Sequence, residues 1–189
     1  MKKLQAQELK NRFIEILSNH NKNFDCEKGN PFLLKIKSES YYIFLKNISS
    51  AYFKKYPNKT RVQLPKSKRF LEIAKSDIPF IILGYDSVND VFASWNPNKV
   101  KSRLNTKNNV SLYSRASWQS EVEDFKLKVN YLSNNDRVIL FKSNMLKTFF
   151  NNVIHFLGDD TEKDSKDEQQ NKLSKSKEII DDKLLKKIT

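Results

Sequence analysis

The segment Phe92-Ala-Ser-Trp-Asn-Pro-Asn-Lys-Val-Lys-Ser-Arg-Leu-Asn-Thr-Lys-Asn-Asn-Val-Ser-Leu-Tyr-Ser-Arg-Ala-Ser-Trp-Gln119 holds no carboxylate but five cations, Lys99, Lys101, Arg103, Lys107 and Arg115. The only two tryptophans of the chain, Trp95 and Trp118, bracket it, with Asn96, Asn98, Asn105, Asn108 and Asn109 between them. Apolar, strand-like runs stand on either side. The segment reads as a cationic, amide-rich arm held between two anchored elements. A groove walled by phosphates, with base edges at its floor, calls for that chemistry.

Outward from the arm, the chain alternates in ways that assign strands. Ile78-Pro-Phe-Ile-Ile-Leu-Gly-Tyr85 is the most apolar run and the expected central strand, with Pro79 confined to its start. Asp86–Asp90 is a tight turn, and Val91–Trp95 returns beside it. Farther upstream lies a second acid-free window, between Glu39 and Glu72. It carries Lys46, Lys54, Lys55, Lys59, Arg61, Lys66, Lys68 and Arg69, interleaved with Tyr52, Phe53 and Tyr56. Thr60–Leu64 alternates there as a strand, and Pro65 opens a short turn or helix that runs to Lys75. A solvated face is the ordinary fate of a charge run, but two such windows in one small domain favour a functional one.

Period-two patterning and β-forming residues place strands at 32–37, 41–48, 60–64, 78–85, 91–95, 110–114 and 125–132, with an eighth candidate at 137–141. The first reads as an edge strand, with Ser38–Ser40 as the turn that follows. The strand at 125–132 reads as half-buried. Helical spacing of Leu4, Leu9, Phe13, Ile16 and Leu17 predicts a helix over 3–19, and a second spans 145–157 with Leu146, Phe149, Phe150, Val153, Ile154 and Leu157 inward. Pro97 starts a short helix, and Ser117–Glu121 forms one or two helical turns. The fold class is mixed α+β, mainly β. Residues 1–158 read as one domain. Residues 159–189, rich in Asp, Glu, Lys, Ser and Gln, read as a charged linker and the start of a following domain.

The chain of 189 residues carries a net charge of +13 and an isoelectric point near 9.7. The excess is concentrated: residues 159–189 sum to −1 and the first 158 to +14. A domain so charged attracts polyanions. The single cysteine, Cys26, excludes a disulfide framework, and neither His20 nor His155 has a partner at metal-ligand spacing. Three glycines, Gly29, Gly84 and Gly158, make no phosphate-cradling loop. The N-terminus lacks a signal-peptide core and no apolar run could span a bilayer, so a cytoplasmic protein without membrane attachment is expected. Asp124-Phe-Lys126 matches half of a Mg²⁺-dependent nuclease pattern, with Asp86 or Asp90 upstream. Alternation would nevertheless turn Asp124 and Lys126 to solvent if Phe125, Leu127 and Val129 point inward. Trp95 and Trp118 could clamp a flipped base, although core packing is the commoner use.

Val91-Phe-Ala-Ser-Trp-Asn-Pro97 and Lys107-Asn-Asn-Val-Ser-Leu-Tyr-Ser-Arg-Ala-Ser-Trp118 together resemble the N-terminal DNA-recognition domain of LlaJI-type restriction subunits. Those proteins are McrB-like, with a GTP-hydrolysing AAA+ motor downstream. The resemblance covers residues 30 to about 142. It implies a seven-stranded open pseudobarrel, like the plant B-three and EcoRII effector domains, with flanking helices at both ends. Two arms of that fold reach into one major groove. Here they would be Asn58–Arg69 and Trp95–Asn109, the second ending on Val110-Ser111. Arginine is the better bidentate reader of guanine, which assigns Arg61, Arg69, Arg103 and Arg115 to base edges. Asn96, Asn98, Asn105 and Gln63 would meet adenine or water, and Lys59, Lys66, Lys68, Lys99, Lys101 and Lys107 phosphates. Asn58, Trp95, Asn108 and Ser111 complete the set. The implied partners are double-stranded DNA, the motor downstream in the same chain with its GTP and Mg²⁺, and a separate nuclease subunit. The segment itself would hold no catalytic residue, metal or cofactor. The competing readings are a methylated-base reader built on Trp95, Trp118 or Tyr113, an autonomous Mg²⁺-dependent nuclease through Asp124, and a nonspecific RNA binder.

Overall fold

In the computed structural model, residues 3–18 and 24–157 are described. The elements run α1 (Ala6–Ser18), β1 (Phe24–Cys26), β2 (Phe32–Ile36), β3 (Glu39–Asn47), β4 (Ser49–Ser50), β5 (Lys59–Pro65), α2 (Arg69–Lys75), β6 (Phe80–Asp86), β7 (Val91–Trp95), α3 (Asn98–Lys101), β8 (Asn109–Arg115), α4 (Ala116–Ser120), β9 (Leu127–Tyr131) and β10 (Arg137–Lys142). A 3-10 turn, Ser143–Met145, then leads into α5 (Leu146–Asn151) and α6 (Val153–Leu157). The fold is α+β and mainly β. An open seven-stranded sheet is ordered β1-β2-β3-β6-β7-β10-β9, and a second sheet is ordered β4-β5-β8. Only β3 and β6 run parallel, in register from Tyr42 opposite Phe80 to Asn47 opposite Tyr85; the other pairs are antiparallel.

Alternation sorts the apolar side chains of the large sheet onto two faces. Tyr41, Ile43, Leu45, Ile81, Leu83, Phe92, Ile139 and Phe141 meet Leu9, Phe13 and Leu17 of α1 and Leu146, Phe149 and Phe150 of α5. Tyr42, Phe44, Phe80, Ile82, Val91, Ala93, Val138 and Leu140 meet Val62 and Leu64 of β5, Val110 and Leu112 of β8, and Phe70 and Ile73 of α2. The large sheet is thus a middle layer, with helices behind it and the small sheet in front. Strand β6 is buried at every position, as a central strand covered on both faces must be.

The eight anticipated strands all form, but they divide between two sheets. Strands 60–64 and 110–114 make the small sheet, not the large one. Their places are filled by β10 and by β1, a three-residue strand too short to carry a pattern. Strand β2 is consequently not an edge, since β1 pairs along it from Ile36 to Leu34. The turn between β2 and β3 is Lys37-Ser38, with Lys37 at φ 56°. Residues 125–132 depart further. Phe125 is 73% exposed, sits at φ 57° and precedes the strand, while Val129 and Tyr131 are exposed on β9. As the outer edge strand, β9 has cover from one neighbour only. The helix expected over 145–157 is interrupted at Asn152, whose side-chain amide donates to the Thr148 carbonyl at 2.9 Å. The side chains of Ile154 and Leu157, the cap at Gly158 and the linker from 159 lie outside the described residues.

Asp90, in the β6–β7 turn at φ 53°, ties the front of α1 to the sheet. Its carboxylate accepts from Arg12 Nη2 at 3.0 Å, from Tyr85 Oη at 2.6 Å and from the Ser143 hydroxyl. Burial pushes the Asp90 carboxyl up, but the bonds from Ser143, Tyr85 and Arg12 outweigh it and hold the group below the usual carboxylate range. Burial, then Asp90, pushes the Tyr85 phenol up. A depressed carboxylate stabilises above its unfolded pKa of about 3.9, and the contribution is lost as pH falls through the folded value. Asp90→Asn should therefore lower Tm at neutral pH, with the gap to wild type closing in strong acid. A gap independent of pH would show that the charge on Asp90 contributes nothing.

Candidate nucleic-acid interface

The two acid-free windows fold into one structure. Strands β4, β5 and β8, with α3, α4 and the loops between them, all lie within residues 40–71 and 91–120. β5 and β8 pair over seven residues, from Lys59 opposite Arg115 to Pro65 opposite Asn109. Thr60, Val62 and Leu64, with Val110, Leu112 and Ser114, face inward. The outward row of β5 is Lys59, Arg61 and Gln63, and that of β8 is Ser111, Tyr113 and Arg115. Their register pairs Lys59 with Arg115, Arg61 with Tyr113 and Gln63 with Ser111.

Lys59 directly opposite Arg115 is a like-charge cross-strand pair, which destabilises a sheet. Aromatic faces take up part of that cost. Lys59 Nζ lies 4.3 Å from the Tyr113 ring centroid, and the Arg115 guanidinium 5.3 Å from that of Trp118. Lys46 Nζ reaches the Gln63 carbonyl at 3.0 Å. Burial, then Lys3, lowers the pKa of Lys46.

At the Pro65–Asn109 end, further cations gather. The Lys66 amide donates to the Asn108 carbonyl at 3.1 Å, so the start of the β5–α2 loop lies against the end of the β7–β8 segment. Lys66, Lys68, Arg103, Lys107 and Asn108 are exposed, and Lys101 is half-buried. The β7–β8 segment does not project as a free finger. Val100 and Leu104, four residues apart, are buried and seat it on the core. The two anticipated arms are the strands and ends of one ribbon.

Several residues expected at the DNA surface are instead structural. Trp95 is 3% exposed and donates Nε1 to the Tyr113 carbonyl at 2.8 Å, fastening the small sheet to the large one. It cannot clamp a flipped base, and Trp118 is half-buried beneath Arg115. Asn96, 6% exposed, accepts from the Asn98 amide at 2.9 Å at the start of α3. Asn105 holds Ser67 from both sides, accepting from its amide and donating to its carbonyl at 3.0 Å each. Asn58 does the same for α4, donating to Ser117 Oγ and accepting from the Ser117 amide at 2.8 Å. Arg69 pairs with Glu27, approaches Glu72 at 3.2 Å off the hydrogen-bond axis, and lies over the Tyr42 ring. Lys99 Nζ donates to the Asn135 carbonyl at 3.2 Å, and Asn98 is exposed. Two of the amides expected to read bases, Asn96 and Asn105, therefore serve as struts, as does Asn58 from the other window. The partners of Asn58 and Asn105 are distant in sequence, so no local pattern could have exposed their role.

The residues weighed for nuclease chemistry are separately engaged. Lys126 pairs with Glu123, Asp124 accepts from Asn144 at 3.2 Å, and Asp86 caps its own turn through Val88 and Asn89. Among the described residues no three His, Cys, Asp or Glu side chains gather where they could hold a metal. Nor, among them, is any helix long and apolar enough to cross a membrane.

The profile of a family described as methylase-associated X1 matches residues 39–150, from β3 into α5. The match takes in the whole small sheet and five strands of the large one, β3, β6, β7, β10 and β9. No curated protein and no solved structure matches the chain.

Proposed function

Because the chain belongs to the methylase-associated X1 family, which is associated with restriction–modification systems, we propose that it is the part of such a system that recognises duplex DNA. In this reading the outer face of β5 and β8 enters the major groove. One observation carries it: two separate acid-free windows converge on a single outward face, where Lys59 and Arg115 stand opposite each other. A bound polyanion turns that unfavourable pair into a favourable one.

The major groove is about 12 Å wide and admits a two-stranded β-ribbon. A seven-residue ribbon is about 20 Å long, enough to lay its middle along base edges and its ends near the two phosphate walls. Arg61, Gln63, Ser111 and Arg115 would face bases from the ribbon, and Arg103 from its far end. Lys59, Lys66, Lys68, Lys101 and Lys107 would hold phosphates. In the LlaJI-type arrangement that the sequence resembles, this domain would bring a GTP-driven motor and a separate nuclease subunit to the site. GTP and Mg²⁺ would belong to those parts.

Titration of labelled duplexes over a range of salt tests the reading. Affinity should fall steeply between about 50 and 200 mM salt as counterions are released. Lys101→Ala should weaken all sequences alike and reduce the salt slope by about one, whereas Arg103→Ala should cost about 1–3 kcal/mol on a preferred sequence only. Binding indifferent to salt would contradict the proposal.

A further inference from the structure

The loop between β4 and β5, residues 51–58, carries an aromatic cluster that the ribbon reading does not use. Tyr52 is 76% and Tyr56 63% exposed, while Phe53, at 39%, packs against Tyr113 with ring centroids 6.0 Å apart. The loop is closed and ordered by its own backbone. The Ala51 amide donates to the Lys59 carbonyl at 2.9 Å, the Tyr56 amide to Phe53 at 2.9 Å, and the Lys59 amide to Tyr56 at 3.0 Å. Tyr52 is held at φ 57°, a left-handed conformation that is rare for a bulky residue and concentrates at functional positions. Its amide donates to Ser50 Oγ at 3.1 Å.

Two features say what would cover these rings. The loop is cationic, with Lys54 and Lys55 exposed and Lys59 Nζ 5.4 Å from the Phe53 ring and 5.9 Å from that of Tyr56. It is also continuous with the outer face of the ribbon, since Phe53 and Lys59 both pack on Tyr113. Aromatic rings set among lysines beside a duplex-binding face match a surface that stacks on bases while holding the neighbouring phosphates.

We propose that Tyr52 and Tyr56 stack on unstacked bases of the DNA that lies next to the ribbon, so that the protein favours a locally opened duplex. The inference rests on the duplex-binding reading above. Intact DNA must be unstacked to offer a base, which costs free energy, whereas a bubble presents its bases already free.

The test uses the whole chain and two fluorescent probes: an intact mixed-sequence duplex and the same duplex with a short unpaired bubble at its centre. Wild type should bind the bubble about tenfold or more tightly. The double variant Tyr52→Ala, Tyr56→Ala should bind both probes alike, with unchanged thermal melting because both rings are exposed. Tyr52→Phe, Tyr56→Phe should keep the preference, since the ring and not the hydroxyl stacks. Equal binding of the two probes by wild type, or a preference that survives the alanine variant, overturns the inference and leaves the ribbon reading standing. Binding to neither probe at low salt sinks the ribbon reading and this inference with it. Tyrosine-dependent binding to anionic phospholipid vesicles, with no preference for the bubble, would assign the loop to a membrane surface and overturn the proposal.

Discussion

Gly84→Ala should lower stability by about 3 kcal/mol, the upper part of the range for forcing a carbon into a packed core, and Tm by about 6–12 °C. The reason is where Gly84 lies. It sits on β6, the central strand, facing the small sheet. A Cβ there would stand 2.7 Å from Val62 Cγ2, 2.8 Å from Ile48 Cγ1 and 3.0 Å from Trp95 Cη2. None of the three can swing into solvent, because each is at most 3% exposed. Trp95 is further fixed through its bond to the Tyr113 carbonyl. Relief requires Val62 of β5, Ile48 and Trp95 to give way together, which should loosen the seat of the small sheet, so DNA affinity should fall along with stability. Val88→Ala, at an exposed position four residues on, is the control and should leave Tm almost unchanged. An unaltered Tm for Gly84→Ala would mean that the two sheets are not pressed together at this point. Thermal unfolding followed by circular dichroism reads both variants.

Arg61→Ala should have the largest effect on recognition among single substitutions in the ribbon. Arg61 stands at the middle of the outward row, opposite Tyr113, flanked by Lys59 and Gln63 on its own strand. The residue is half-buried, and its Nε is buried without an acceptor among the described residues, which leaves that donor to a ligand. A planar fork so placed suits bidentate contact with guanine. Its loss should cost about 1–3 kcal/mol on the preferred duplex and relax selectivity at one position. Arg61→Lys keeps the charge but not the fork. It should therefore retain nonspecific affinity and still lose discrimination. Equal weakening on every sequence would reassign Arg61 to phosphate. Competition binding with matched and mismatched duplexes separates the outcomes.

What could be read from the sequence was set by whether the cause is local. Strands β6 and β7 announce themselves because apolar runs on either side of a turn at Asp86–Asp90 are local signals. So are Leu9, Phe13 and Leu17, which recur at four-residue spacing and bury one face of α1. The division into two sheets is not local. β5 alternates cleanly while β10 is an unbroken apolar run, yet nothing in Thr60–Leu64 says which partner it will find. β1 and β4, of three and two residues, are too short to alternate. The cationic face was legible because charge persists on the surface whatever the topology. The asparagines were not, because an amide serves equally to read adenine or to clamp a backbone turn. For Asn58 and Asn105 the choice is made by Ser117 and Ser67, 59 and 38 residues away. Phe125 misled for the opposite reason: it continues the apolar alternation of the strand that follows, yet lies outside it in a left-handed turn.

Selection of bound sequences from a pool of random duplex DNA at near-physiological salt bears most directly on the claim that the β5–β8 face reads duplex DNA. The account predicts one enriched sequence for wild type, degraded at separate positions by Arg61→Ala and Arg103→Ala and unchanged by Lys101→Ala. A pool that emerges without any enriched sequence, or one that the arginine variants enrich as wild type does, would contradict it.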